Sequence, residues 1–318
     1  MSAILIIING GDIASVVQAN ALLDMGDWIE GNPVEGFRNW SLENVYLWWI
    51  EKSILFEDDL DQRWYDETGI NVDEVIFPSR HSSQSGIPSL TLHYIGVTHL
   101  HEDEIPPFGG KSGKAPPPNP RLAAWFRLLN KKMENSELKD DFEVTLEATH
   151  HGPWLKTPSL YIEIGSDESA WSRKDAAQIL AAVIWEGLGL DGSDGHGLWD
   201  ESQDTESVVI CFGGGHYAPR HSLLALNEGI WLGHILANYS LPMIKNDMAE
   251  SLENLTVLGG TWKDSILEAI KSTKIAYGNA KISAYLDRKS FKGWQRRAIV
   301  DFLQTENIFV GRTSDFVK

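Results

Sequence analysis

Histidines and glycines gather in this chain where apolar runs give out. LEATHHGP (146–153) sets His150 beside His151, directly before Gly152–Pro153; GGGHYAPR (213–220) sets His216 and Tyr217 behind three glycines; SRHSS (79–83) adds His81. Imidazole, with an ordinary pKa of about 6.5, can accept a proton near neutral pH, orient water or ligate a metal. Successive strand residues point to opposite faces, so one of His150 and His151 is expected to enter a pocket and the other to anchor it, unless the turn has already begun. Gly213, Gly214 and Gly215 would let main-chain N–H groups approach a ligand closely, as donors to an oxyanion or phosphate; the plain alternative is a tight turn with no ligand.

Several other chemistries are disfavoured. Residues 213–218 satisfy G-x-G-x-x-A after a strand, but Pro219 follows at once and no acid closes a strand about 20 residues on, which argues against a dinucleotide site. There is no HExxH, no cysteine pair and no G-x-S-x-G elbow. His81, His150, His151 and His216 are the set that could gather round zinc in space, which spacing alone does not show. Cys211 lies inside a buried strand pattern, where a thiol is usually inert. His93, the histidines of THLH (98–101), His196 and His221 are expected to be structural or exposed, and His234 to be a core histidine with a satisfied partner. The 13 tryptophans are expected to fill a core rather than stack on bases.

These residues need elements to hold them. AILIIING, VDEVIF, FEVTLEA, PSLYIEIG, SVVICF, KISAYL and NIFVG read as strands, several apolar at nearly every position and therefore covered on both faces. Helical patterns follow many of them. One is expected to start at Ser166 as N-cap, with Asp167 and Glu168 in its first turn, and to close at Gly187 or Gly189. Its middle, AAQILAAVIWEGL, is apolar almost all round and implies burial against a sheet. The helix after KISAYL places Trp294, Ala298, Ile299, Phe302 and Leu303 on one side and is amphipathic. The alternation predicts an α/β fold, three-layer α/β/α, with a largely parallel or mixed sheet. If the strands before His81, His150, Gly213 and Asp287 run parallel, their ends share one rim and make one site.

At 318 residues the chain can form one large domain, and no boundary forces two. Loops at 105–121, 191–207 and 243–260 are read as insertions at the rim of a single α/β domain over 1–318. No apolar run approaches the ~20 residues of a membrane helix, and ILIIING reads as a buried strand rather than a secretory signal. The lone cysteine fits a reducing compartment, so a soluble, cytoplasmic protein is expected, with no membrane partner. The net charge of −18 argues against indiscriminate coating of nucleic acid. A polyanion must meet a local basic patch; DRKSFKGWQRR (287–297), with Arg288, Lys289, Lys292, Arg296 and Arg297, is the candidate, its alternative being a solvated helix face.

The blocks SRHSS, LEATHHGP, YIEIGS, DAAQILAAVIWEGLGL, GGGHYAPRH, HILANYSLP, GGTWKDSI and DRKSFKGWQRRAI, in this order, resemble the archaeal and plant family of D-aminoacyl-tRNA deacylases. The resemblance spans most of the chain and looks closer to the plant branch. It implies a chiral-proofreading hydrolase that cuts the ester joining a D-amino acid to the terminal adenosine of tRNA, on a three-layer fold with some likeness to peptidyl-tRNA hydrolases and nucleoside phosphorylases. Zinc is attributed to archaeal members, and removal of aldehyde-modified D-aminoacyl-tRNA to plant ones. An aminoacyl ester is already activated, so oriented water, a proton acceptor and oxyanion donors suffice. On this basis His151 or His216 is expected as base, the Gly213–Gly215 amides near the oxyanion or terminal phosphate, and His81 and His150 as supports or metal ligands. The terminal ribose 2′-OH could share the proton transfer. Gly152, Pro153, Tyr217 and Arg220 are expected to line the substrate, and Lys289, Lys292, Arg296 and Arg297 to meet acceptor-stem phosphates. A rigid Gly152–Pro153 turn would impose handedness geometrically, since weaker apolar contact alone gives only ~10–200-fold selectivity. The rivals are a peptidyl-tRNA hydrolase-like or nucleoside phosphorylase-like enzyme and a non-catalytic tRNA-end or nucleotide-binding protein.

Overall fold

The computed structural model describes residues 3–200, 207–245 and 258–317. Strands run in chain order as β1 (Ile4–Asn9), β2 (Ile29–Glu30), β3 (Asn39–Leu42), β4 (Val45–Ile50), β5 (Glu74–Arg80), β6 (Ser89–His93) and β7 (Glu143–Leu146). They continue as β8 (Ser159–Gly165), β9 (Ser207–Phe212), β10 (Ile230–Leu236), β11 (Ile244–Lys245), β12 (Leu258–Gly259), β13 (Ile282–Leu286) and β14 (Phe309–Gly311). Eight form a mixed sheet in the order β2-β3-β4-β1-β5-β8-β6-β7, four form a parallel sheet in the order β10-β9-β13-β14, and β11–β12 make a short ribbon.

Alternation along the strands explains the layers. In β1, Ile4, Ile6 and Ile8 pack with the helices Ile13–Leu23, Arg121–Glu134 and Lys174–Leu188. Leu5 and Ile7 face the other way, towards Trp48, Trp64 of the helix Leu60–Thr68, Phe77 and Tyr161. In β9, Val209 and Cys211 join the first core, while Val208, Ile210 and Phe212 join a third with the helices Trp262–Tyr277 and Gly293–Thr305. The expected α/β/α layering is therefore present, and the first core reaches both sheets. Trp48, Trp64, Trp125 and Trp262 are fully buried, as space-filling tryptophans should be. Cys211 is buried, which pushes its thiol pKa up.

Two local expectations change, and one of two stated alternatives is selected. Asp167, not Ser166, caps a short helix Glu168–Trp171, its Oδ1 accepting from Ser169 N, and the long helix starts afresh at Lys174. Ser166 instead turns inward and donates its hydroxyl to Ile87 O. The long helix closes at Gly189 in the left-handed region, φ +78°, whereas Gly187 lies inside it because Trp125 packs against that face. The loop at 105–121 is half interior: Ala115–Asn119 is buried, and Arg121 already begins a helix. Of the other two loops, 201–206 and 246–257 lie outside the described residues.

The strands also do not all run one way. β5 and β8 are parallel, but β6 is antiparallel to β8 and β7 is parallel to β6. β7 therefore runs against β5, and the pieces expected on a common rim meet instead between the two sheets. Thr149 N donates to Ile235 O of β10 at 2.7 Å, and Glu147 pairs antiparallel with Tyr217.

Candidate active site

Three neighbouring strands present polar rows to this junction. Leu90 and Leu92 of β6, and Leu160, Ile162 and Ile164 of β8, face the helices. The opposite row of β6 is Ser89, Thr91 and His93, and that of β8 carries Tyr161 and Glu163. Glu147 follows β7. Glu147, Glu163, His93 and His81 are all at most 3% exposed. Two buried carboxylates in an apolar setting must be paired with positive charge.

Imidazoles supply that charge. His81 Nδ1 lies 3.0 Å from Glu147 Oε1 and 3.7 Å from Glu163 Oε2, and His81 Nε2 lies 3.0 Å from the Tyr217 hydroxyl. His216 Nε2 is 2.8 Å from Glu147 Oε2, and His93 Nε2 is 3.5 Å from Glu163 Oε2. Burial opposes the charge on His81, but Glu147 and Glu163 outweigh it and push the pKa up to about 11. His93 is likewise raised, burial being overcome by Glu163. Burial alone would raise Glu147, yet His216 and His81 hold its carboxyl well below the usual range; Glu163 is lowered against its burial chiefly by His93. The neighbours behave oppositely. Burial and the positive charge of His93 push His150 well down and His151 to about 4. The site thus divides into charged and neutral imidazoles.

The same atoms suit a metal ion. His93, His150 and His151 each donate Nδ1–H to a main-chain carbonyl, those of Tyr94, Ala148 and Gly152, at 3.0, 2.8 and 2.7 Å. Each is left with Nε2, the usual outcome of such support for a ligating histidine. Ligand atoms of His93, His150 and His151 lie within 4.8 Å of one another, as do those of His81, Glu147 and His216 and those of His93, Glu147 and Glu163. Neither Glu147 oxygen, though close to imidazole nitrogens, has an aligned hydrogen bond, and His93 Nε2 has none. A divalent cation could replace the protons that otherwise neutralise Glu147 and Glu163. The expected set of His81, His150, His151 and His216 is assembled, but it falls into two triads completed by His93 and Glu147.

A cleft of about 440 Å³ is lined by His81, His150, His151, Glu163, His216 and Tyr161, and also by Asn9, Asp12, Ser53 and Phe108. The turn has begun at His151, φ +39°, so both histidines of the pair reach the cleft. Gly152 is there for close approach: a Cβ would collide with main-chain atoms of Leu55, Gly109 and Gly110. Pro153 follows through a cis peptide.

The glycine run departs from expectation. Gly213 and Gly214 have φ +102° and +84°, which only glycine adopts readily, but their amides are already engaged. Gly213 N donates to Leu236 O at 2.8 Å and Gly214 N to Ser290 Oγ at 2.7 Å, so these two do not form an oxyanion cluster. Gly215 is exposed beside His216. Arg220 is paired with Asp287 at 2.7 Å rather than directed into the cleft. Lys289, Lys292 and Arg297 are exposed; half-buried Arg296 donates to Arg288 O at 3.0 Å. Arg288, Arg296 and Arg297 line a separate hollow of about 350 Å³. His234 is the satisfied core histidine expected, bonded to Thr149 Oγ1 at 3.0 Å and Pro116 O at 3.1 Å. His93, expected to be structural or exposed, is buried and stands against Glu163 and beside His150 and His151; Glu147 and Glu163 were not among the expected residues, and the alternation of SLTLH and the single acid within YIEIG were the available signals.

A family model described as D-aminoacyl-tRNA deacylase matches residues 68–311. A protein of Arabidopsis thaliana named D-aminoacyl-tRNA deacylase is 47% identical over 314 residues, covering 98% of this chain and 99% of the relative. A Pyrococcus furiosus protein of the same name is 31% identical over 261 residues, covering 80% and 88%. A crystal structure of a conserved protein of unknown function superposes with a TM-score of 0.77 at 24% identity, over 99% of this chain and 96% of that one, a likeness of fold.

Proposed function

This chain belongs to the D-aminoacyl-tRNA deacylase family, and from that premise we propose that its ester hydrolysis takes place in the histidine–carboxylate cleft, with His216 as base and Glu147 as the group that orients it. As a D-aminoacyl-tRNA deacylase it is a hydrolase that releases a D-amino acid from tRNA. The observation that carries the assignment is the 2.8 Å contact of His216 Nε2 with the fully buried Glu147 carboxylate, on a histidine whose side chain is 40% exposed at the cleft. Glu147 stands against one ring nitrogen and would leave the other to take the proton, the division of roles between acid and base in a hydrolytic triad. His151 is the weaker candidate, because a conjugate-acid pKa of about 4 makes a poor proton acceptor at neutral pH.

In the proposed reaction His216 takes a proton from water as the water oxygen bonds to the ester carbonyl carbon. The carbonyl electron pair moves to oxygen, where the His81 imidazolium, held charged by Glu147 and Glu163, stabilises it. Collapse expels the terminal ribose oxygen, which receives the proton from His216. His81 thereby replaces the engaged Gly213 and Gly214 amides as the source of positive potential. Zinc, for which His93, His150 and His151 offer suitable donors, would supply Lewis-acid polarisation and a more acidic bound water. The tRNA acceptor stem would lie across Lys289, Lys292 and Arg297, and the lone buried cysteine suits a cytoplasmic setting.

The test is release of D- and L-amino acids from matched aminoacyl-tRNAs, with peptidyl-tRNA and a nucleoside plus phosphate as controls, before and after chelation. D-selective release is expected, and His216→Ala should lower kcat by roughly 10²–10⁴-fold. Undiminished turnover by that variant would remove His216 as the base; loss on chelation and recovery with zinc would assign the metal.

A further inference from the structure

The loop that carries His216 is gripped from the second sheet two residues before the assigned base. Ser290, in the turn after β13, accepts the Gly214 N–H at 2.7 Å and donates its own hydroxyl to Asp287 Oδ2 at 2.9 Å. Asp287 is 8% exposed and also receives Arg220 Nη1 at 2.7 Å. The next peptide is held too, since Gly214 O accepts from Asn238 N at 3.1 Å. Two residues on, His216 meets Glu147, and its carbonyl accepts Ala148 N at 2.9 Å. A loop with two left-handed glycines has little rotational preference of its own. Its geometry must therefore come from such external bonds.

We propose that Ser290 is a positioning residue: its hydroxyl, oriented by Asp287 and Arg220, fixes the Gly214 peptide and so aims His216 at the cleft. The proposal rests on the assignment of His216 as base. Ser290 stands in one turn with exposed Arg288 and Lys289, so the element offered to the acceptor stem is bonded directly to the loop that bears the base. Ser290→Ala strands the Gly214 N–H and loosens that loop at one of its anchors.

The experiment compares kcat on D-aminoacyl-tRNA, affinity for uncharged tRNA and thermal midpoint for wild type, Ser290→Ala, Ser290→Thr and His216→Ala. Ser290→Ala should lower kcat by roughly 10–100-fold, the range of a misplaced catalytic group, with uncharged tRNA bound within about twofold of wild type. Ser290→Thr, which keeps the hydroxyl, should recover most of kcat. Wild-type kcat in Ser290→Ala while His216→Ala is inactive overturns the positioning role alone. Full activity in His216→Ala overturns the base assignment beneath it. A folded Ser290→Thr as slow as Ser290→Ala also overturns the proposal, because the hydroxyl is then not the agent.

Discussion

At the scale of single residues, charge decides the site. Glu147 has no solvent exposure and serves His81 and His216 together, so Glu147→Gln keeps its shape while removing what holds both rings. Release of D-amino acid by this variant should fall at least about 100-fold, with single-turnover rates as the check; near-wild-type rates would mean that the imidazoles need no counter-charge. Titration gives a second expectation. Burial pushes His234 down to about 3, whereas the unfolded chain titrates near 6.5. Between those values the unfolded state binds the extra proton, so this contribution to stability is complete above 6.5 and is lost as pH falls towards 3. His81, raised to about 11, behaves conversely, its contribution being complete below 6.5 and lost as pH rises towards 11. Urea midpoints from pH 7 to 4 should therefore fall less steeply in His234→Gln, by about one proton in the linkage slope. The histidines at strand ends were legible in the sequence because imidazole is scarce and chemically distinctive. Glu147, Glu163 and His93 were not, since each passes for an ordinary strand residue until neighbouring strands bring their polar rows together.

At the scale of elements, the site depends on close contact between turns. Gly152 lies against the main chain of Leu55 and of Gly109–Gly110, and its N–H donates to Phe108 O at 3.0 Å. Gly152→Ala must therefore push the mouth apart, with an expected loss of about 1–3 kcal/mol as for other overpacked sites, read as a lower urea midpoint. A change in D/L preference in that variant would follow from the displaced mouth and not from the Gly152–Pro153 turn alone. A midpoint equal to wild type would show that the turns can separate freely. Seven of the strands were recoverable from apolar runs, whereas β2, β3, β4, β6, β10, β11 and β12 were not. NWSL of β3 mixes polar and aromatic residues, and β10 contains Gly233 and His234 inside a register shift. Direction was beyond reach altogether: nothing within β7 announces that it pairs with β6 and opposes β5.

At the scale of the whole molecule, an acidic protein must bind an acidic partner. With a net charge of −18, association with tRNA is expected to draw on the exposed cations of the 288–297 segment and to be strongly salt-dependent. Replacing Lys292 and Arg297 together should weaken binding and flatten the plot of log affinity against log salt by roughly one unit per lost phosphate contact; an unaltered slope would place the stem elsewhere. Among the described residues no helix is long and apolar enough to cross a membrane. The pairing of Glu147 with Tyr217 across the two sheets bears on how the protein is made. A growing chain that has emerged only as far as residue 200 owns the carboxylates and most of the imidazoles, yet lacks the histidine assigned to proton transfer and the strands that carry it. On that assignment, hydrolysis is expected to begin only once β9 and the turn bearing Tyr217 have joined the rest.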